Sequence, residues 1–259
     1  MALKNYKKIW EKDTEYGNLL YKRATGKLPE MFSSVALCNI LKKIYKKGMK
    51  LLDVGCGGGH YLRSLQERVD TNINYLGIDI TERYIELARR AFDNDKLFEV
   101  GDIFNLKVKD NEFDIVVSNN VILHLPPNPI KAISELIRVS KKFIIIRTVF
   151  GERNYIIQEI KIEQNIEAQK IHSKTVNKKI FLEDGTPKVF NYFNLYTEDY
   201  FRTTIAEIVP NAKVDVANDS EFDDFDNKEI TTNTGTKAFK GIQVSGNLML
   251  DWRFIIITK

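Results

Sequence analysis

The chain has 259 residues, 43% of them apolar, with 39 basic against 35 acidic side chains and a net charge of +4. That length and apolar share can bury a full core and exclude a disordered chain, and so balanced a charge does not mark a nucleic-acid binder. Two cysteines, Cys38 and Cys56, exclude a disulfide framework or a cysteine zinc cluster.

Residues 1–30 mix aromatic, basic and acidic side chains around Gly17 and a break at Gly26–Pro29. They read as short helices outside a core sheet. The opening MALKNYKKIWEKD does not read as a signal peptide, and no apolar run approaches the ~20 residues that span a bilayer. The expectation is a soluble cytoplasmic protein. SSVALCNILKKIYKKG (33–48) has helical apolar spacing with Gly48 as its stop. MKLLDVG (49–55) reads as a buried strand, HYLRSLQERV (60–69) as a helix and INYLGIDI (73–80) as a strand. TERYIELARRAF (81–92) reads as a helix capped by Thr81. KLFEVGDI (96–103), the first half of FDIVVSNNVI (113–122) and KKFIIIRTVF (141–150) are strand-like, and PNPIKAISELIRVS (127–140) is a helix with proline near its start. Five apolar strands separated by helices or loops mean crossovers and a parallel sheet covered on both faces.

After Gly151 the rhythm breaks. NYIIQEIKIEQNIEAQ reads as a helix, followed by basic KIHSKTVNKKI and a turn at 183–187. A helix capped by Thr197 (197–209) and strands at 212–218 and 251–259 follow. Between those strands, 219–249 is acidic and then Thr/Gly/Asn-rich, which suggests a hairpin-like excursion. The fold class is α/β: a Rossmann-like, doubly wound, mostly parallel sheet with insertions at about 152–192 and 219–249.

The sharpest feature is DVGCGGGHYL (53–62), between a strand and a helix. Glycines permit a tight turn and close ligand approach, and the helix start offers free N–H groups. A dinucleotide fold wants G-x-G-x-x-G, where this chain has His60, and a P-loop wants a Lys that does not follow Gly59. The pattern is instead acidic-x-Gly-x-Gly-x-Gly: Asp53, Gly55, Gly57, Gly59. Here the chain resembles the class I S-adenosylmethionine-dependent methyltransferases (small-molecule branch) over 49–150, and more loosely over 190–259.

The resemblance implies a seven-stranded sheet with an antiparallel last strand, residues 1–48 as a helical lid segment and 49–259 as the methyltransferase domain. It implies S-adenosyl-L-methionine as cofactor, held by Asp53, Gly55, Gly57 and Gly59. Asp79, with Ile80, is assigned to the ribose, Asp102 and Ile103 to the adenine, and Asn119 to the sulfonium region. Two departures stand out. Ser140–Lys142 replaces the family's frequent Gly-Gly turn, and SNNV lacks the Asn-Pro-Pro-Tyr-type signature of amide or base-amine methylation.

Methyl transfer from a sulfonium needs alignment of the nucleophile and exclusion of water. A base is needed where the acceptor is neutral, and His124 is the candidate by position. His60 and His172 are weaker candidates, as a pocket wall and as an acceptor contact. Tyr16, Tyr21 and Arg23 from the lid segment, with Arg147, His172 and Tyr192, are the candidate acceptor residues. A lysine excess over 168–190 points to an anionic metabolite, phosphorylated, carboxylated or sugar-linked. The alternatives are an RNA or protein methyltransferase and a non-catalytic cofactor-binding partner. No His/Cys/carboxylate spacing suggests a metal.

Overall fold

The computed structural model describes residues 10–11, 13–160, 180–219, 236–239, 242–245 and 248–259. Among the described residues, α1 (Thr14–Ala24) and α2 (Phe32–Ile44) precede the strand–helix alternation. It runs β1 (Lys50–Val54), α3 (His60–Arg68), β2 (Asn74–Asp79), α4 (Glu82–Phe92), β3 (Phe98–Val100), β4 (Phe113–Asn119), α5 (Ile130–Val139) and β5 (Ser140–Phe150). The remainder is β6 (Gln158–Glu159), β7 (Asn191–Tyr192), α6 (Glu198–Ile208), β8 (Lys213–Asn218), β9 (Thr236–Phe239), β10 (Ile242–Ser245) and β11 (Leu248–Thr258).

The main sheet has the order β3-β2-β1-β4-β5-β11, with β8 also paired to β11. The first five strands are parallel, and β11 runs antiparallel to both β5 and β8. These seven strands are the expected sheet. The antiparallel pairs β9–β10 and β10–β11 extend it to nine, which is the hairpin-like excursion expected within 219–249.

β1, β4 and β5 are buried on both faces, which is why they read as continuous apolar runs. One face packs against α5 and α6 through Val116, Ile133, Ile144 and Phe201. The other packs against α2 and α3 through Leu37, Leu62, Ile115 and Ile145. At the turn between α5 and β5, the Lys259 ammonium donates to the Ile137 and Ser140 carbonyls. Lys259 thus satisfies carbonyls at the end of α5.

Four expectations need correction. α2 ends at Ile44, four residues before Gly48, because Tyr45 turns extended and donates from its hydroxyl to Asp70. Thr81 stands at the start of α4 but makes no side-chain cap; its N–H donates to Asp79 Oδ1 instead. The strand read at 96–103 shrinks to Phe98–Val100, a 3-10 turn taking up Asp95–Leu97. The segment opening at Asn154 does not start as a helix: Tyr155 bridges Leu195, and β6 pairs with β7. The rest of that expected helix lies outside the described residues, as do His172 and Lys170, Lys174, Lys178 and Lys179.

Candidate active site

The carboxyl ends of β1, β2 and β4 converge on one edge, the place where ligands bind in open parallel sheets. The loop after β1 has Gly55, Gly57 and Gly59 all at positive φ. A side chain at Gly59 would also meet the buried ring of Phe98 at 2.8 Å. The loop is tied to β2: Gly55 and Cys56 donate to the Ile78 carbonyl, and Gly57 donates to Asp79 Oδ2 at 2.9 Å. Asp79 Oδ1 takes the Thr81 N–H at 2.8 Å. The carboxylate therefore joins the glycine loop to the start of α4. Burial raises its pKa, and hydrogen bonds from the Thr81 and Gly57 backbone oppose that rise.

Asp53 sits deeper. It is 1% exposed, accepts a hydrogen bond from the Tyr75 hydroxyl at 3.0 Å, and is pushed up to about 7 by burial. Its carboxylate is thus turned to Tyr75, behind the loop. After β3, Asp102 Oδ1 accepts the Phe104 N–H, and Ile103 packs into the core. Ile80, between Asp79 and Thr81, is half-buried.

Helix α1 packs against this edge. Leu20 of α1 lies on the loop so closely that side chains at Gly57 and Gly58 would stand 2.9 and 3.0 Å from it. α1 packs on α4 through Gly17, whose Cα face meets the Tyr84 ring. Asp13 caps the helix by accepting the Tyr16 N–H. Tyr16 lies within electrostatic reach of Asp79, and Arg23 within reach of Tyr16 and His60. Burial raises the Tyr16 hydroxyl, which also feels Arg23, Asp13 and Asp79. Burial lowers the Arg23 guanidinium, which among the described residues has no hydrogen bond or ion pair. His60, opening α3, is driven down to about 3 by burial and then by Arg23. Its Nδ1 is buried without a partner, and so are both amide atoms of Asn119 at the end of β4.

His124 follows β4 in a 3-10 turn, Ile122–His124. Its Nδ1 lies 2.8 Å from the Tyr192 carbonyl, which can only accept, so Nδ1 carries the proton and Nε2 is the basic nitrogen. The Asn191 amide, 3.1 Å from the same Nδ1, can join this bond only with its oxygen turned inward. Trp10 and Phe193 wall the imidazole, with ring centroids 5.0 and 5.9 Å away. Asn194 holds the turn from behind: its N–H donates to the Leu123 carbonyl and its amide to that of Leu125. Asn191 and Asn194 were missed in the sequence. Two amides inside the aromatic run NYFNLY were the available signal.

Three expected acceptor residues have side chains engaged otherwise. Arg147 is 2% exposed and its guanidinium is committed to Asp219 and Asn120, so it cannot clamp an acceptor anion. The Tyr192 side chain packs in the core against Phe190, and it is the backbone carbonyl that serves the site. Tyr21 lies under Arg90 of α4, 4.5 Å from its ring centroid, where the chain folds α1 onto α4. Of the expected lysine excess, Lys188 is described and exposed. Among the described residues, no three His, Cys, Asp or Glu gather as a metal site, and no helix is long and apolar enough to cross a membrane.

The sheet order, the glycine loop and the acidic end of β2 define a Rossmann-like methyltransferase. A methyltransferase-domain family model matches residues 45–200, more than half of the chain, and the chain belongs to that family, whose cofactor is S-adenosylmethionine. The sterol 24-C-methyltransferase of Aspergillus fumigatus is 36% identical over 86 residues, 31% of this chain and 22% of that protein. The demethylmenaquinone methyltransferase of Staphylococcus aureus is 34% identical over 99 residues, 37% of this chain and 40% of that protein. The matches thus span less than half the length of these curated relatives. Among solved structures, an S-adenosylmethionine-dependent methyltransferase from Mesorhizobium loti aligns with a TM-score of 0.52 at 14% identity, covering 88% of this chain and all of that one. The Synechocystis magnesium protoporphyrin IX methyltransferase with bound S-adenosylmethionine aligns at 0.50 and 14%, covering 88% and 77%. These likenesses are likenesses of fold.

Proposed function

We propose that this chain transfers a methyl group from S-adenosylmethionine to a small-molecule acceptor whose reacting atom is neutral before attack. The observation that carries the reading is the set of buried, unpartnered polar atoms at the carboxyl edge: the whole Asn119 amide and His60 Nδ1, beside the Arg23 guanidinium. Leaving such groups unsatisfied costs about 1–3 kcal/mol each. A ligand with a charged amino-acid end and a polyhydroxylated sugar fits them. In this reading Arg23 takes the carboxylate, Asn119 and the glycine loop take the rest of the methionine end, Asp79 takes ribose hydroxyls, and Asp102 and Ile103 flank the adenine. Asp53 supports the loop from behind.

When bound, S-adenosylmethionine supplies an activated methyl group. The chain supplies orientation, exclusion of water and one base. Leu20, Tyr16 and Trp10 cover the edge, and His124 Nε2 takes the acceptor's proton while Tyr192 and Asn191 hold the ring by Nδ1. Relatives named for sterol, demethylmenaquinone and phosphoethanolamine substrates support a small-molecule acceptor. Calorimetric titration with S-adenosylmethionine, its demethylated product and NAD tests the cofactor half. Binding of NAD alone would refute it. A metabolite screen scored by release of the demethylated product tests the transfer half.

A further inference from the structure

Arg147 and Asp219 form a charged pair buried to 2% and 4% exposure. Asp219 Oδ2 accepts from both Nε and an Nη of Arg147 at 2.5 Å. The guanidinium also donates to the Asn120 side chain and lies over the Trp252 ring, 4.0 Å from its centroid. The Asn120 N–H returns a bond to the Arg147 carbonyl, and Asn120 itself is at φ 60°.

The pair's place in the sheet is what matters. Arg147 is the register partner of Asn119 across β4 and β5. In parallel strands such partners project from the same face and are separated by about 4.8 Å. On that face Ile115 and Val117 of β4 and Phe143 and Ile145 of β5 share one core cluster. A permanent guanidinium charge is therefore buried next to the amide read above as a cofactor contact. The cofactor of this family is a sulfonium cation, and an uncompensated cation beside its site would repel it.

We propose that Asp219 is an electrostatic positioning residue. It neutralises Arg147, so that the guanidinium can fasten the Asn120 turn and the end of β4 without charging the cleft against a cationic donor. The inference rests on the reading of this edge as the S-adenosylmethionine site. It adds a determinant outside the glycine motif, and it separates the cofactor from its product by charge. S-adenosylmethionine carries the sulfonium; S-adenosylhomocysteine, the same molecule without the methyl group, has a neutral thioether.

The test is calorimetric affinity for both ligands at pH 8 in wild type and Asp219→Asn, with circular dichroism to confirm folding. A tenfold change in affinity is about 1.4 kcal/mol, within what two unit charges exchange at an effective dielectric near 20. Asp219→Asn should therefore weaken S-adenosylmethionine about tenfold more than S-adenosylhomocysteine. The double variant Arg147→Met/Asp219→Asn should restore the wild-type ratio. An equal loss for both ligands overturns the proposal, since a purely structural pair would act on both alike. Should Asp219→Asn fail to fold, Arg147→Met alone must shift the ratio toward S-adenosylmethionine, and an unchanged ratio overturns the proposal. If wild type binds neither ligand, the site reading itself fails.

Discussion

Replacing His60 by glutamine should change how stability depends on pH. In the folded chain burial drives His60 to about 3 from an ordinary 6.5. Between those values the unfolded chain binds a proton that the folded chain excludes, so this group makes stability rise with pH across that window. Asp53 acts in the opposite sense. Burial lifts it to about 7 from an ordinary 3.8, with Tyr75 opposing and Asp79 assisting. The folded chain keeps a proton that the unfolded chain has lost, so stability falls as pH rises across that range. Each effect integrates to roughly 4–5 kcal/mol at most, and in wild type the two slopes oppose each other between about pH 4 and 6.5. The stability of His60→Gln minus that of wild type should therefore grow as pH is lowered from 6.5 to 4. For Asp53→Asn the difference should shrink over the same range. Urea midpoints measured at half-unit pH steps give both curves, and titrations common to variant and wild type cancel in the difference. A His60→Gln difference that stays flat with pH would refute the claim that a neutral imidazole is buried there.

Gly59→Ala should cost about 2–5 kcal/mol, from left-handed backbone and overpacking against Phe98. Gly48→Ala, also at positive φ but in open space, should cost about 1–2; equal urea midpoints would remove the close-approach argument. Asp79→Asn should weaken S-adenosylmethionine at least ~10-fold, by losing a charged acceptor shared with Gly57 and Thr81. Asp110→Asn, at a surface pair with Arg138, should leave calorimetric affinity within about twofold. His124→Gln should lower kcat by about 10²–10⁴ while leaving cofactor affinity unchanged; a fall in affinity with kcat preserved would reassign His124 to the cofactor wall.

The alternating core was legible because burial on both faces leaves β1, β4 and β5 as unbroken apolar runs. The glycine motif was legible because backbone geometry restricts it: three positive-φ positions in five residues admit few side chains. What was not legible depends on partners far away in sequence. Arg147 in a strand beside the edge reads as a ligand contact until Asp219, 72 residues on, is placed against it. Tyr192 reads as an aromatic wall, yet its contribution is a carbonyl, and carbonyls carry no residue signature. Asn154–Gln158 reads as a helix by its apolar spacing, but pairing of that stretch with 191–195 supplies the hydrogen bonds a helix would have made.

The carboxyl edge also differs from the rest of the sheet in how its polar groups are satisfied. Within β4, Ser118 is buried and donates to the Val54 carbonyl. At the start of β5, Ser140 is buried and donates to the Phe143 carbonyl. One residue beyond Ser118, Asn119 is 6% exposed with neither amide atom bonded. An unbonded hydroxyl forfeits one small group, but an unbonded amide forfeits two donors and a strong acceptor. That loss is of the order of several kcal/mol, a large part of a domain's net stability. Alanine or valine at 119 would continue the strand without that cost. The fold therefore has no use for asparagine at this position by itself, and the residue makes physical sense as a group held ready for a polar ligand. The same logic applies to His60, whose burial costs it its charge and leaves Nδ1 unbonded at the opening of α3, beside a guanidinium that also lacks a partner among the described residues.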